Sequence, residues 1–340
     1  MKKVFSAKDA EALVKSGGSE ATVPAGAIIT PSARDVFRAA SNSFGRKNQV
    51  KTNLSQASNE YDRILNAPEN QPIKEDMCEM GKRLWQRAYV DGNGGNMAVR
   101  IGENMALCTP TLVSKGSMEP EDICLVDLDG HQLAGRKKRT SEILMHLQMM
   151  KAQPKAKATC HCHPPYATAF AVAGVEPPSC MLPEFEVFIG KTPVAPYRTP
   201  GTPEMGQQVA KLVEDHNTVL MGNHGAVAWS HLGIEDAYFK MEILEAYCRT
   251  IVVARQLGHD LKTFTSDEMK DLLTIKKSLN VPDPRNNDLK ECELCDNTAW
   301  RDGATCNVPP QSEQTSSELS PETEALVSQI TDQIMKRIEG

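Results

Sequence analysis

The chain has 340 residues, which is long enough for two average domains or for one enlarged α/β domain with extensions. Its formal net charge of −6 argues against non-specific nucleic-acid binding, which needs a basic surface. With 40% hydrophobic and 24% charged residues the chain can bury a sizeable core, which excludes wholesale disorder.

Neither a membrane span nor a secretory leader is predicted. No stretch approaches the roughly 18 consecutive apolar residues that a membrane-spanning helix needs, and polar residues interrupt the segment after Lys2 and Lys3. Ten cysteines in such a chain favour reduced thiols or metal ligands over a disulfide framework. We therefore expect a cytoplasmic protein with no membrane or nucleic-acid partner.

Composition divides the chain into five parts along its length. These are an N-terminal extension at 1–70, a catalytic body at 71–262, a helical and cysteine-containing extension at 263–306, a flexible linker at 307–321 and an amphipathic helix at 322–340. The first part is polar, but Thr30 can cap a helix whose first turn contains Pro31. The linker is rich in Pro, Ser and Gln, which is typical of a flexible segment.

In the body, short β-rich runs alternate with helical periodicity, which is typical of an α/β domain. Helices are predicted at 73–89, 141–151, 165–174 and 234–257, and strands at 96–101, 105–109, 123–128, 157–163, 218–222 and 226–230. Asp129-Gly130 is a hairpin-turn signal that follows the third of these strands.

His161 and His163 carry the strongest chemical signal. Residues two apart on a strand face the same side, so both imidazoles can bind one ion while Cys162 points away. His224, in an Asn-His-Gly turn between two predicted strands, is the best third ligand, and three protein ligands are typical of a catalytic zinc site. The alternative is a surface pair of histidines and an unrelated turn residue.

Glu142 follows Thr140 and Ser141 at the start of a predicted helix. Hydroxyls and free N–H groups at such a position can bind an anion such as phosphate, and a glutamate near a metal can act as a general acid and base. The alternative is a plain helix cap. His146 lies one turn further on the same face, and we interpret it as a packed or supporting histidine and not as a ligand.

The run Gly92-Asn93-Gly94-Gly95-Asn96 precedes a predicted strand. Its backbone N–H groups and its two asparagine side chains can hold a phosphate, although a flexible hairpin has the same composition. Thr109-Pro110-Thr111, at the end of the next strand, can add hydroxyl groups to such a site.

Seven motifs in a fixed order resemble the class II aldolase/adducin family over residues 72–260. They are Gly-Asn-x-x-x-Arg (95–100), Thr-Pro-Thr (109–111), Asp-Ile-x-x-Val-Asp-x-x-Gly (122–130), Ser-Glu-x-x-x-His (141–146), His-x-His-Pro-Pro (161–165), Ala-Pro-Tyr (195–197) and Asn-His-Gly (223–225). That family contains L-fuculose-1-phosphate aldolase, which the motifs resemble, together with L-rhamnulose-1-phosphate aldolase and L-ribulose-5-phosphate 4-epimerase.

The resemblance implies a three-layer α/β/α sandwich with a central, mainly antiparallel sheet, and a homotetramer with active sites between subunits. It implies Zn²⁺, or another divalent metal, as the cofactor and Glu142 as the catalytic acid/base. The implied metal ligands are His161, His163 and His224. The residues implied to hold the phosphate of a sugar-phosphate substrate are Asn96, Thr111, Thr140 and Ser141, with Asn93 as a further member.

The implied reaction is cleavage of a 6-deoxyketose 1-phosphate, L-fuculose or L-rhamnulose 1-phosphate, to dihydroxyacetone phosphate and lactaldehyde. Epimerases and dehydratases of the family that act on related phosphates have the same metal ligands, so the ligands do not distinguish these reactions. Leu112 stands where phosphate-binding members often have glycine, and Leu182 lies near the place of a tyrosine that some aldolases use. A non-catalytic, adducin-like scaffold is a further alternative, although adducin-type members lose the metal histidines.

Cys292 and Cys295, with Cys306 further along the chain, are candidates for a second metal site. Three cysteines are one short of a structural zinc set, so a Cys-x-x-Cys redox pair and free thiols are the alternatives.

In the segment 322–340, one apolar stripe is predicted on an otherwise charged helix. Its members at four-residue spacing are Leu326, Ile330, Ile334 and Ile338. The segment resembles the encapsulation peptides that recruit enzymes into bacterial microcompartments, and 27–35 resembles a motif of microcompartment-associated proteins. Shell proteins are therefore candidate partners and a microcompartment a candidate location, the alternative being a helix that packs on its own body.

Overall fold

The computed structural model describes residues 4–16, 18–24, 27–34, 36–37, 54–286, 294, 295 and 297, with the side chains of 21 and 54–59 excepted. These residues belong to one unit of the chain, Met1–Arg301. The predicted linker at 307–321 and the predicted helix at 322–340 lie outside the described residues, as do Cys292 and Cys306.

The described residues form ten strands in two sheets. The strands are β1 Val4–Phe5, β2 Ile28–Ile29, β3 Asn96–Arg100, β4 Met105–Cys108, β5 Cys124–Asp127, β6 Gln132–Ala134, β7 Ala158–Cys162, β8 Val194–Ala195, β9 Thr218–Met221 and β10 Gly225–Ser230. The large sheet has the order β6-β5-β4-β3-β7-β10-β9-β8. Its neighbouring strands are antiparallel except for β8 and β9, which confirms the predicted mainly antiparallel central sheet.

The chain also forms helices, of which those of the body cover both faces of this sheet. They are α1 Ala7–Lys15, α2 Leu54–Leu65, α3 Gln71–Gln86, α4 Ile143–Ala152, α5 Pro165–Ala173, α6 Pro183–Phe188, α7 Pro203–Ala210, α8 Ile234–Gln256 and α9 Ser266–Ser278. Sequence periodicity located α3, α4, α5 and α8 to within about three residues, as is usual for element ends. It did not find α6, α7 or the two-residue strand β8, which are too short to carry a period.

Strand residues alternate between two separate cores because successive side chains point to opposite faces of a sheet. Met97 and Cys162 belong to the core on the α3, α5 and α8 side. Ala98 and Val227 belong to the core on the side of α4 and α7. The result is the predicted α/β/α sandwich, and Cys162 points away from His161 as the strand pattern requires.

The N-terminal extension contains a small folded unit of its own, which the sequence indicated only at Thr30. Strands β1 and β2 pair in parallel, and Phe5 and Phe37 stack with ring centroids 6.2 Å apart. The predicted cap is confirmed, because the backbone N–H of Ala33 donates to Thr30 Oγ1 at 3.3 Å.

The segment after α8 is attached to the catalytic body by buried charges. Asp283 accepts from Lys276 Nζ at 2.8 Å and from Arg285 Nη2 at 2.7 Å, and Arg285 Nη2 also lies 2.7 Å from Glu186 Oε2. All four side chains are buried. Such ions persist in a core because each one is paired.

A disulfide between Cys180 and Cys295 corrects the expectation that the cysteines are reduced or bind metal. Their Cα atoms lie 5.6 Å apart, within the usual range for a disulfide. Cys295 is therefore not a thiolate ligand in this structure, contrary to the predicted second metal site with Cys292 and Cys306. The local Cys-x-x-Cys spacing could not reveal a partner 115 residues away.

Among the described residues, no helix is both long enough and apolar enough to cross a membrane.

Candidate active site

Three imidazoles converge at the end of β7. His161 lies on β7, His163 follows it, and His224 lies in the turn between β9 and β10. Their ligand atoms, one from each ring, all lie within 4.8 Å of one another, and the Nε2 atoms of His161 and His163 are 3.2 Å apart. These are the three residues that the sequence predicted as metal ligands.

The turn that carries His224 can approach the end of β7 because of the two residues that flank this histidine, Asn223 and Gly225. Asn223 adopts the left-handed backbone conformation, with φ of 54°, which asparagine tolerates better than most residues. At Gly225, a Cβ atom would lie 2.6 Å from His163 Cδ2 and 2.7 Å from the carbonyl oxygen of Cys162. Asn-His-Gly is therefore required for the turn to approach the end of β7 so closely.

The protonation state of the rings suits metal binding. The Nδ1 atom of His161 lies 2.8 Å from the carbonyl oxygen of Ala226, which can only accept, so Nδ1 carries the proton and Nε2 has a free lone pair. Burial, followed by the neighbouring His224 and His163, lowers the pKa of His161. Burial also lowers the pKa of His224. Neutral imidazole is the form that coordinates a metal.

One buried ring atom at this place lacks a partner. Within the described part of the chain, His224 Nδ1 is buried without a hydrogen bond. Buried polar atoms are rarely left unpaired. The rings of His161 and His163 and that of His224, with its orphaned nitrogen, form a donor set that fits a divalent ion such as zinc.

Glu142 joins the three histidines to the rest of the site. Its Oε2 atom lies 3.2 Å from His161 Nε2 and its Oε1 atom lies 3.4 Å from His224 Nε2. The residue is 8% exposed and caps the N-terminus of α4. The start of α4 thus holds the carboxylate beside the imidazoles, where it can exchange protons with a bound substrate.

A buried hydrogen-bonded chain fixes the orientation of Glu142. Asn96 Nδ2 donates to Glu142 Oε2 at 2.9 Å, while Asn96 Oδ1 accepts from His146 Nε2. His146 Nδ1 in turn lies 2.7 Å from the hydroxyl of Thr159. Burial lowers the pKa of His146 to about 3, so the ring is neutral and donates through Nε2 only. This arrangement confirms His146 as a supporting residue and gives Asn96 a structural task beside its predicted contact with phosphate.

A cavity of about 150 Å³ opens beside these residues. Since one water molecule takes about 30 Å³ in the liquid, the cavity has room for a small ligand. Its lining is Ser32, Asn93, Gly94, Gly95, Asn96, Pro110, Thr111, Leu112, Thr140, Ser141, Glu142, His161 and His163. The structure therefore brings all five predicted phosphate-binding residues to one cavity with Glu142, His161 and His163.

Sequence reasoning missed Asp91, which supports His163 from outside the cavity. Asp91 Oδ1 lies 3.2 Å from His163 Nδ1, and this hydrogen bond is the main cause that lowers the pKa of Asp91. Metal-binding histidines are commonly oriented by a carboxylate in this way. In the sequence, only the position of Asp91 directly before the Gly92–Asn96 run indicated that it could lie near the site.

Sequence reasoning also missed Lys115. Its side chain is buried and donates to the backbone oxygens of Val113, at 2.7 Å, and Asn93, at 3.3 Å. The ammonium group therefore connects the two loops that form opposite parts of the cavity wall. Burial lowers its pKa to about 8.

Leu112, at the cavity, adopts a left-handed backbone conformation that glycine tolerates best. Its φ is 58° and its side chain is 68% exposed. This backbone region costs a residue with a Cβ atom about 1–2 kcal/mol. The loop at the cavity therefore holds Leu112 at some cost in local strain.

An α/β/α sandwich with three convergent histidines and a buried glutamate beside a polar cavity is typical of a metal-dependent enzyme. Comparison with known families identifies the kind of enzyme. Residues 75–252, more than half of the chain, match the Class II Aldolase and Adducin N-terminal domain, so the chain belongs to the class II aldolase/adducin family.

Named relatives fall into two groups. The chain is 35% identical to L-fuculose phosphate aldolase of Methanococcus maripaludis over 52% of its own length and 93% of the relative. It is 31% identical to 3-oxo-tetronate 4-phosphate decarboxylase of Haemophilus influenzae over 58% of its own length and 95% of the relative. Both groups are lyases.

Solved structures agree with this assignment. YgbL of Escherichia coli, a putative aldolase/epimerase/decarboxylase, has a TM-score of 0.55 at 28% identity, covering 60% of this chain and 98% of that one. An L-fuculose 1-phosphate aldolase has a TM-score of 0.56 at 25% identity, covering 61% and 96%. The chain is therefore an enzyme of the lyase type with the class II aldolase fold, and the alternative of a non-catalytic scaffold is wrong. The family is typically metal-dependent, in agreement with the three-histidine site.

We expect purified protein to contain about one divalent metal ion per chain, and His224→Ala to lose it. Removing a ligand should weaken binding by more than the roughly 10–100-fold that loss of a supporting residue causes. Inductively coupled plasma mass spectrometry after dialysis measures the metal content. The exposed His259 supplies a matched control, since His259→Ala should keep the metal, and full occupancy in His224→Ala would remove that histidine from the ligand set.

Proposed function

We propose that the chain is a zinc-dependent aldolase that cleaves a 6-deoxyketose 1-phosphate, L-fuculose or L-rhamnulose 1-phosphate, to dihydroxyacetone phosphate and lactaldehyde. The observation that carries the proposal is the convergence of three histidines and Glu142 at a cavity lined by hydroxyl and amide groups. The 35% identity to L-fuculose phosphate aldolase supports the substrate class.

Glu142 is the residue that moves protons in this proposal. A divalent ion held by His161, His163 and His224 would supply Lewis-acid stabilisation of the negative charge that develops on the ketose oxygens. Glu142 accepts the proton of the C4 hydroxyl as the C3–C4 bond breaks and lactaldehyde leaves. The same carboxylic acid then returns a proton to C3, which completes dihydroxyacetone phosphate.

The phosphate end of the substrate is assigned to the opposite side of the cavity. Thr140 and Ser141 precede α4, where a helix N-terminus favours an anion. The hydroxyl of Thr111 and the loop around Asn93 can donate further hydrogen bonds. Holding the phosphate there leaves the ketose carbons near Glu142 and the histidines, as cleavage of the C3–C4 bond requires.

Decarboxylation of a 3-oxo-tetronate 4-phosphate is the second candidate, favoured by the 31% identity to the enzyme of that name. Loss of C1 as carbon dioxide from such an acid leaves the same enediolate of dihydroxyacetone phosphate that the aldolase reaction forms. The two reactions differ in the leaving group, which is an aldehyde in one and carbon dioxide in the other. None of the described residues that line the cavity is a lysine or an arginine, which favours a substrate with one anionic group over one with two.

A product screen on the metal-loaded protein tests these assignments. We expect L-fuculose or L-rhamnulose 1-phosphate to yield lactaldehyde and dihydroxyacetone phosphate, measured with coupled dehydrogenases. Release of carbon dioxide from a 3-oxo-tetronate 4-phosphate, with no aldehyde from the ketose phosphates, would select the second candidate. A rearranged or dehydrated pentulose phosphate without cleavage would select the epimerase or dehydratase alternative.

We expect Glu142→Gln to lower kcat by roughly 10²-fold or more while the metal content and the melting temperature stay close to those of the parent. The amide keeps the shape of the side chain but cannot accept the proton, and positioned acid/base groups contribute 10²–10⁴-fold. Glu184→Gln, at an exposed position, is the matched control. Near-parental turnover in Glu142→Gln would exclude this residue as the acid/base.

We also propose that the enzyme acts as a homotetramer, that 71–262 is its catalytic domain, and that 322–340 is an encapsulation peptide for a microcompartment shell. The support for the last point is the apolar stripe in the sequence and the polar linker before it. A helix of this length is marginal alone in water, so a partner surface would stabilise it.

Deletion of 308–340 should leave kcat and KM unchanged, because the residues assigned to catalysis all precede the linker. The segment fused to a fluorescent protein should co-localise with co-expressed shell proteins, and the Ile330→Asp, Ile334→Asp double variant should abolish this. Ala325→Asp with Gln329→Asp adds the same charge on the opposite face of the predicted helix and should retain targeting. Loss of folding on deletion would contradict the proposal.

A further inference from the structure

Ser32 stands on a well-defined turn of the N-terminal extension. The backbone N–H of Thr30 donates to the carbonyl oxygen of Phe5 at 3.1 Å, and Thr30 Oγ1 accepts from Ala33 N at 3.3 Å. Phe37 packs with Phe5 and Ala33 in the small core of this unit. The turn that carries Ser32 is thus fixed at both ends by hydrogen bonds and packing.

This turn lies directly against the catalytic domain. Ser32 is one of the residues that line the active-site cavity. A Cβ atom on Gly201 would lie 2.8 Å from Pro31 Cβ and 3.1 Å from the carbonyl oxygen of Ser141. The N-terminal unit therefore contacts the catalytic domain at Gly201 and at the start of α4, through Pro31. It closes one side of the cavity.

The cavity needs neutral hydrogen-bond donors if it is to hold a phosphate. Its described lining contains no lysine or arginine, so hydroxyls, amides and backbone N–H groups must satisfy the phosphoryl oxygens. The hydroxyl of Ser32 makes no hydrogen bond to the other residues that the structure describes. It is therefore available to donate to a ligand in the cavity.

We propose that Ser32 donates a hydrogen bond to the phosphoryl group of the substrate, so that the N-terminal extension forms part of the substrate-binding site. This rests on the assignment of the substrate phosphate to this cavity under the proposed function. The family match begins at residue 75, so the contribution comes from a part of the chain that the shared catalytic domain lacks.

The test compares full-length, metal-loaded Ser32→Ala with the parent protein. Loss of a hydrogen bond to a charged group should raise the Kd for inorganic phosphate by roughly 10-fold, measured by isothermal titration calorimetry. In the aldol direction the KM for dihydroxyacetone phosphate should rise by a similar factor with kcat nearly unchanged. The rate with unphosphorylated dihydroxyacetone should not change, because that substrate has no group for Ser32 to bind.

Two further variants separate a phosphate contact from a structural effect. Ser32→Thr keeps the hydroxyl and should restore most of the affinity, whereas Ser16→Ala, in the same extension but not at the cavity, should behave as the parent. An equal loss with phosphorylated and unphosphorylated substrates would overturn the proposal, since it would indicate a packing defect.

The calorimetric measurement also separates this proposal from the proposed function. If the parent binds phosphate and cleaves a ketose phosphate while Ser32→Ala binds phosphate equally well, the inference about Ser32 fails and the proposed function stands. If Ser32→Ala weakens phosphate binding but no ketose phosphate is cleaved, the inference stands and the aldolase assignment fails. Absence of phosphate binding by the parent would refute the inference about Ser32, while the product screen alone decides the proposed function.

Discussion

The close pairing of β7 with β10 is the constraint on which the site depends. Ala226 lies opposite Cys162 in this antiparallel pair, so the turn before β10 must pass the end of β7 at van der Waals distance. Only a residue without a Cβ atom fits at Gly225. A Cβ atom there would lie within 3 Å of the carbonyl oxygen of Cys162 and of Cδ2 of His163. The three imidazoles converge because the backbone can approach this closely, and a bulkier turn would separate them.

Beside the histidines, a buried chain of hydrogen bonds holds Glu142 in place. Glu142 is 8% exposed, and a buried carboxyl group needs hydrogen-bond partners. Asn96 supplies one such partner, and His146 and Thr159 hold Asn96 in the orientation that directs its amide N–H at the carboxyl group. Because His146 stays neutral, this chain adds orientation without adding charge near the metal position.

The regular part of the fold could be predicted from sequence because helix α8 carries a long apolar stripe and strands such as β9 are short apolar runs between turn residues. The metal triad was predictable for a related reason, since His-x-His on a strand already fixes two side chains on one face. Contacts between distant segments could not be predicted in this way. Cys295 carried a familiar short spacing, yet its partner is Cys180. Lys115 carried no pattern, because its role depends on two backbone oxygens that only the folded loops bring together.

The cavity chemistry also accounts for the division of the relatives between an aldolase and a decarboxylase. Both reactions break a carbon–carbon bond beside a ketone and leave the electron pair on the carbon next to it, so both need the same stabilisation of a developing enediolate. The groups that supply it belong to strands and to the start of α4, which are fixed by the sheet. Under the proposed function, the loop that carries Thr111 and the wall that the N-terminal extension provides hold the phosphate group, which both substrates have. Selectivity between an aldehyde and carbon dioxide must therefore come from residues outside this shared set, while the histidines and Glu142 remain in place.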